Sequence, residues 1–480
     1  MWRCRVRQIK RAAQPFHDKL NDARRQRPAA RAEDKASTPA DGKVAGFGRI
    51  GGREVAVMSN DFTVKGASSA NINIKKLKHI KLVARKRGIP VVFLGESTGA
   101  RMPDVMGADS IGSKDDPIEY QRLRESPWAA AALGYCFGSS AWYASMSDFC
   151  VFRKGAIVAV SSPRLISMAI GRAVDAEELG GWRVHSEVSG IADQVVDTDE
   201  QAIAAIQQFL SYLPGNHREP PPEAPVPAGS GADMDKVLTL LPESPNQVYD
   251  VKKIIRCIVD RDSMFELKPR YGKAMVTALT RLDGKTVGII ANNTLHRGGS
   301  IGADECQKVQ DFFVMCDSYN VPIVMLVDQP GFLIGPEGEQ RGITGKVMNW
   351  MNAMTLVTVP KLSVIMRKSY GLAVSSMGAG GNTDEVACWY TADVSFMKPE
   401  FGARVVFGAD PVRDPEGYKE AVAKMSKGTT AYDMASIYTA QDVIDPRDTR
   451  DWLIRMLEVH RMRLTGGVGQ HLMRNWPTTY

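Results

Sequence analysis

Residues 52–99 and 284–331 of this chain align with each other without a gap, at a constant offset of 232. Gly52 falls on Gly284, Val55 on Val287, Asn60 on Asn292, Gly66 on Gly298 and Ser68 on Ser300. Lys76, Pro90, Val92, Leu94 and Gly99 then fall on Lys308, Pro322, Val324, Leu326 and Gly331. The shared positions punctuate both segments alike: strand, Gly/Ser loop, helix, proline-opened strand, glycine turn. A chain written twice in one register is most economically two copies of one α/β unit.

Local patterns fill in that unit. Glu54–Met58 and Thr286–Ala291 are short apolar runs after Gly-Arg and Gly-Lys turns, which predicts strands. Apolar residues at three- and four-residue spacings predict helices over Asn73–Arg87 and Asp304–Tyr319. Pro90-Val-Val-Phe-Leu and Pro322-Ile-Val-Met-Leu are continuous apolar runs, as buried parallel strands are. Strands separated by helices imply parallel crossovers and a layered α/β architecture. The stretch 214–231 carries three successive prolines and two more downstream, so it can join neither a helix nor a central strand. The expected organisation is a basic arm at 1–45, a first domain at 46–213, a proline-rich linker at 214–245 and a second domain at 246–480.

Composition removes several function classes. The apolar fraction of 44% and charged fraction of 24% are those of a soluble globular protein. No stretch approaches the apolar length a membrane span needs. Eleven Lys/Arg stand against four Asp/Glu in residues 1–35. Asp18, Asp22, Glu33 and Asp34 interrupt the acid-poor pattern of a transit peptide. The arm therefore reads as a solvated or partner-facing helix, not as a nucleic-acid arm. Cysteines 4, 136, 150, 257, 306, 316 and 388 are scattered, with no C-x-x-C pair and no zinc spacing to histidine. They read as reduced thiols of a cytosolic protein, with no metal site expected.

Chemistry could sit where strands end. Lys65-Gly-Ala-Ser-Ser and Arg297-Gly-Gly-Ser-Ile-Gly each enter a helix, and each is equally well an ordinary strand-to-helix turn. Neither fits a phosphate-loop pattern. Glu96-Ser-Thr-Gly-Ala-Arg and Asp328-Gln-Pro-Gly-Phe follow the second strand of each repeat, beyond the carboxyl ends where α/β sheets bind ligands. Tyr135-Cys-Phe-Gly-Ser-Ser-Ala and Arg367-Lys-Ser-Tyr-Gly-Leu-Ala follow a further strand. Small residues opening a helix there present consecutive amides toward one point, as an oxyanion hole requires, or serve tight helix–sheet packing. No G-x-S-x-G elbow occurs. His185 and His296 read as structural. Glu96, Asp328, Glu337 and Glu339 stand in turns, where carboxylates usually cap or face solvent. A reaction run by backbone amides on an enolate-like intermediate suits this inventory.

Taken together, Asp61-Phe-Thr-Val-Lys-Gly, Gly99-Ala-Arg, Glu178-Leu-Gly-Gly with His185 and Ser189-Gly190, Asp328-Gln-Pro-Gly-Phe, Val359-Pro-Lys, Arg367-Lys-Ser-Tyr-Gly and Asp442-Val-Ile-Asp-Pro-Arg-Asp-Thr-Arg carry a resemblance. From about residue 46 to 460 the chain resembles the carboxyltransferase subunit of biotin-dependent acyl-CoA carboxylases, of the propionyl-CoA carboxylase beta-chain kind. The resemblance implies two tandem crotonase-like domains in an α/β fold, with the active site between the N domain of one subunit and the C domain of another. It implies transfer of carboxyl from N-carboxybiotin on a partner to the α-carbon of an acyl-CoA. The N half would hold the thioester enolate at the Gly138-Ser139 amides, with Gly99, Ala100 and Arg101 as substrate contacts. The C half would receive biotin at Gly331, Phe332 and Gly371, with the Leu372-Ala373 amides on the ureido oxygen. Ser375 falls where the family tunes acyl-chain size.

Partners implied by the resemblance are a biotin carboxylase, a biotin carboxyl carrier subunit and further copies of the chain in a homohexameric core, in the cytoplasm, with neither nucleic acid nor membrane. Coenzyme A enters as part of the substrate. No Ala-Met-Lys-Met biotinylation sequence is present, so biotin must arrive on another protein. Three positions depart from the family pattern: Ser139 and Leu372 stand in the usual Gly-Gly pairs, and Glu96 opens its turn. At Leu372 a side chain excludes any φ that only glycine tolerates. A decarboxylase subunit running the transfer in reverse, a standalone crotonase-like hydratase or hydrolase, and a non-catalytic assembly subunit remain the alternatives.

Overall fold

The computed structural model describes residues 41–107, 121–462 and 466–476. The basic arm up to residue 40 lies outside the described residues. The chain divides into two compact units, and the boundary falls between Pro220 and Pro221.

The first unit is built on β1 (Lys43–Ile50), β2 (Arg53–Asn60), β3 (Val91–Ser97), β4 (Trp128–Phe137), β5 (Phe149–Arg153), β6 (Ile157–Ala159) and β7 (Gln194–Val196). Their order is β1-β2-β3-β4-β5-β7, with β6 beside β4. Only β1 and β2 pair antiparallel, through a turn at Gly51 and Gly52. Both glycines have φ > 0 (55° and 80°), as a two-residue hairpin turn of matching twist demands. Helix α1 (Asn71–Arg87) makes the crossover from β2 to β3, and α2 (Ser139–Ser145) opens directly from β4. Phe93, Trp128, Tyr143 and Phe152 fill the core around the alanine run of β4, whose small side chains allow close helix approach.

The second unit repeats the plan with β8 (Phe265–Leu267), β9 (Met275–Leu282), β10 (Lys285–Asn292), β11 (Ile323–Gln329), β12 (Lys361–Tyr370), β13 (Glu385–Trp389), β14 (Asp393–Ser395) and β15 (Asp442–Ile444). Their order is β15-β13-β12-β11-β10-β9-β8, with β14 beside β12. Helices α3 (Ala303–Ser318) and α4 (Ala373–Ser376) stand where α1 and α2 stand in the first unit. Strands β1, β2 and β3 fall on β9, β10 and β11 at the offset seen in the sequence, end to end.

The repeat extends to backbone conformation. Lys65, Gly66 and Ala67 have φ of 50°, 60° and 47°, and Arg297, Gly298 and Gly299 have 49°, 64° and 85°. The Gly/Ser loops are therefore left-handed turns that lead into the helices. The helices after them are closed by side chains at one repeat position: Asn73 Oδ1 accepts the Ala70 N–H (3.0 Å) and Glu305 Oε2 accepts the Gly302 N–H (3.0 Å). Lys76 and Lys308, also equivalent, each donate to the first carbonyl of the unit's hairpin, Lys43 O (2.9 Å) and Met275 O (2.7 Å).

The expected linker is a connector only in its first part. Met234–Lys236 and Val237–Leu240 form helical turns whose Met234 and Val237 enter the second unit's core. An apolar pattern at positions 234, 237, 240 and 241 was masked by the prolines upstream of it. At the other end, Arg474 belongs with the first unit, where Arg124 Nη1 donates to the carbonyls of Arg474 (3.2 Å) and Trp476 (2.6 Å).

Candidate active site

A register break prepares the site in each unit. Gly95 pairs with Ala132, yet Ser97 pairs with Cys136; Val327 pairs with Ile365, yet Gln329 pairs with Ser369. Such bulges re-aim the strand end. Beyond them, Gly99 comes to lie against Phe137, where an added Cβ would sit 3.4 Å from the Phe137 Cβ. Gly331 lies similarly near the Tyr370 carbonyl. The turn after β3 and the start of α2 are thereby neighbours in the first unit, and the turn after β11 and the start of α4 in the second.

In both units an isolated parallel bridge fixes the turn: Ser69 with Ala100, and Ile301 with Phe332. Ser69 donates to Gly99 O (2.7 Å) and accepts from Arg101 N (2.8 Å); Ile301 donates to Gly331 O (3.1 Å) and accepts from Leu333 N (2.8 Å). The N–H groups of Ala100 and Phe332 are left without an acceptor among the described residues. Helix starts supply the next donors, because first-turn amides have no intrahelical partner. The N–H groups of Ser139, Leu372 and Ala373 are likewise unspent among the described residues.

One expected donor, Gly138, is corrected, and Gly371 behaves in the same way. The Gly138 N–H donates to Val160 O (3.2 Å) and the Gly371 N–H to Ser395 O (3.0 Å), so neither amide is available. Their work is conformational: φ is 61° at Gly138 and 68° at Gly371, values that turn the strand into the helix and favour glycine. The constraint expected at Leu372 does not arise. It has φ −65° and ψ −15°, ordinary right-handed backbone, and its side chain is 73% exposed.

Arg101, expected as a substrate contact, is tied into the fold. Its guanidinium is spent on Asp41 (2.6 Å), Ser68 Oγ (3.1 Å) and Ser68 O (3.1 Å). That pairing ties the turn to the chain before β1. Ser375 lies in α4, half-buried, with its N–H on Leu372 O (3.1 Å) and its carbonyl accepting from Asn382 Nδ2 (3.2 Å).

Asp328, His185 and Glu337 are occupied by partners within the chain. Asp328 is fully buried against Arg367 Nε (3.0 Å) and Nη2 (2.9 Å), Lys368 Nζ (3.0 Å) and Lys368 N (3.2 Å). Arg367 and Lys368 are the residues extruded by the β12 bulge. They also hold the carbonyls of Ser244 (2.9 Å), Pro245 (3.1 Å) and Gln247 (3.1 Å). His185 has both ring nitrogens engaged, on Val158 O (2.7 Å) and Ser189 Oγ (2.9 Å). Burial holds its imidazole below the ordinary 6.5, against the Val158 carbonyl, which favours the cation. His296 is exposed and Glu337 pairs with Arg297 (2.8 Å).

Several supporting residues escaped the sequence reading. Buried Lys43 donates to Asn60 Oδ1 (3.0 Å), and Asn60 Nδ2 donates to Ser140 Oγ (3.1 Å) in the first turn of α2. In the second unit Gln329 Nε2 donates to Ser369 Oγ and Tyr370 O (both 3.2 Å), gripping the end of β12 just before Gly371. Ser69 Oγ and Ser139 Oγ lie 3.3 Å apart. Only their separation in sequence hid these pairings.

Two units of this topology, each ending in a glycine turn with unspent amides, define a two-domain crotonase-like enzyme. In agreement, a solved transcarboxylase 12S structure, described as a hexamer assembly with methylmalonyl-coenzyme A and methylmalonic acid bound, superposes with a TM-score of 0.84 at 32% identity, covering 91% of this chain and 85% of that one. The chain belongs to the carboxyl transferase family: the carboxyl transferase domain matches residues 9–465. It is 32% identical over 427 residues to a propionyl-CoA carboxylase beta chain of Roseobacter denitrificans (86% of this chain, 82% of the relative). It is equally 32% identical over 432 residues to the methylmalonyl-CoA decarboxylase alpha subunit of Veillonella parvula (88% and 83%). The activity class is thus that of the carboxyltransferases of biotin-dependent acyl-CoA carboxylases and decarboxylases.

Proposed function

We propose that this chain moves a carboxyl group from N-carboxybiotin, carried on a separate protein, to the α-carbon of an acyl-CoA. The observation that carries this reading is the set of turn and helix amides unspent among the described residues of each unit, two in the first (Ala100 and Ser139) and three in the second (Phe332, Leu372 and Ala373). The first pair holds the thioester oxygen as charge develops on it. The second set holds the ureido oxygen of biotin, with Gly331 and Gly371 shaping the approach.

The reaction needs no side-chain base. The N–C bond of carboxybiotin breaks, releasing CO2 and leaving the electron pair on the ureido group. The ureido nitrogen takes the α-proton, and the enolate carbon forms the new bond to CO2. Each amide donor aimed at the developing oxyanion contributes roughly 3–4 kcal/mol to the transition state. Biotin carboxylase and a biotin carboxyl carrier are the corresponding partners, and a homo-oligomer the corresponding assembly.

The equal identity to a decarboxylase alpha subunit favours one second reading, the same transfer in reverse from a malonyl-type thioester to biotin. The test mixes the purified chain with a carrier bearing labelled carboxybiotin and a panel of acyl-CoAs, then exchanges the roles. Label reaching an acyl-CoA supports the first reading; label moving only from a malonyl-type thioester to the carrier supports the second. Turnover of a CoA thioester at equal rate without biotin would sink both.

A further inference from the structure

The hydroxyls of Ser69 and Ser139 face each other at 3.3 Å, beside the unspent amides of Ala100 and Ser139. Two hydroxyls bring two hydrogens, and one contact uses one. Among the described residues neither side chain makes a second hydrogen bond, so the pair keeps one O–H to donate. The second unit shows that its amide site does without them. There the bridge residue is Ile301 and the residue after the positive-φ glycine is Leu372, both aliphatic. Hydroxyls occupy both positions in the first unit and neither in the second.

The covalent spacing of Ser139 limits what this donor can meet. Its N–H nitrogen and its Oγ are joined through Cα and Cβ, so any staggered rotamer leaves them about 3–4 Å apart. Two oxygens of one ligand at a similar separation can therefore meet both donors at once. The thioester oxygen and an α-carboxylate oxygen of a malonyl-type thioester, joined through three carbons, are about 3–4 Å apart as well. An unsubstituted acyl-CoA offers the first oxygen alone.

We propose that the Ser69–Ser139 hydroxyl pair binds the α-carboxylate of the carboxylated CoA thioester, next to the amides that hold its thioester oxygen. This rests on the reading of the first unit as the thioester side. Ser69 orients the Ser139 hydroxyl, and Ser139 delivers one charge-assisted hydrogen bond to the carboxylate. The site thereby distinguishes the carboxylated thioester from the plain one at the residue that also supplies an amide.

Calorimetric titration of the full chain with methylmalonyl-CoA and with propionyl-CoA tests this, because the two probes differ by the carboxylate. Ser139→Ala and Ser69→Ala should each raise the Kd for methylmalonyl-CoA about ten- to a hundredfold relative to that for propionyl-CoA. Ser139→Thr, which keeps a hydroxyl, should keep the wild-type ratio. An unchanged ratio in the alanine variants, or equal weakening of both ligands, overturns the proposal while leaving the thioester site standing. A wild-type chain that binds neither probe overturns the thioester reading and the proposal together.

Discussion

Ser139 offers an amide and a hydroxyl that substitution can separate. Proline is tolerated at the first position of a helix, where the N–H has no intrahelical partner, so Ser139→Pro removes the N–H together with the hydroxyl, and Ser139→Ala removes the hydroxyl alone. Carboxylation of an acyl-CoA should fall about a hundred- to a thousandfold in Ser139→Pro. Ser139→Ala should stay within about tenfold of wild type in that direction, since the amide remains. Equal, large losses of initial rate in both variants would show the hydroxyl acting on the enolate itself. His185 makes a different prediction. Its folded-state pKa lies below the ordinary 6.5, so between those values the unfolded chain binds more protons than the folded one. Stability therefore falls as pH drops through 6.5. His185→Gln should be less stable at neutral pH yet lose less Tm between pH 7.5 and 5.5; parallel melting curves across that range would refute it. The histidine's structural role was legible in sequence and Ser189 lies only four positions on, whereas Val158, 27 positions earlier, forms no local pattern with it.

At the scale of elements, the two bulges differ in what fills them. In the second unit Asp328 sits inside the register break and gathers Arg367 and Lys368, which bind the segment 244–247. The first unit has Glu96, Gly134 and Tyr135 at the corresponding places, so its bulge supplies no lysine or arginine at those positions. Asp328→Ala leaves two buried cations unpaired and should cost about 3–5 kcal/mol by chemical denaturation. Amides near 244–247 should exchange faster in the same variant; unchanged stability and exchange would mean the cluster is dispensable. The strands, helices and glycine turns were readable because their periodicities are local: β1 to β3 and β9 to β11 share one offset from end to end. The bulges were not readable, since a slip of register changes no residue type. The Arg101–Asp41 pair was not readable for a related reason, Asp41 lying 60 positions earlier on a segment that sequence assigned to the arm.

For the molecule as a whole, duplication supplies two copies of one glycine turn with amides unspent among the described residues, and the copies differ in what lines them. Serines line the first and aliphatic residues the second. The proline-rich boundary was legible in composition, whereas the helical turns at 234–240 and the return of Arg474 to the first unit depend on tertiary packing. The central claim is that backbone amides in both units, and no side-chain base, carry biotin-dependent carboxyl transfer. Leu372 already has φ −65°, the value proline imposes, so Leu372→Pro deletes one N–H in the second unit with the backbone preserved. The decisive measurement is single-turnover transfer of labelled carboxyl from a carboxybiotinylated carrier to propionyl-CoA by wild type and Leu372→Pro. The account predicts transfer by wild type and a loss of at least about a hundredfold in the variant with propionyl-CoA affinity retained; transfer at the wild-type rate by Leu372→Pro would contradict it.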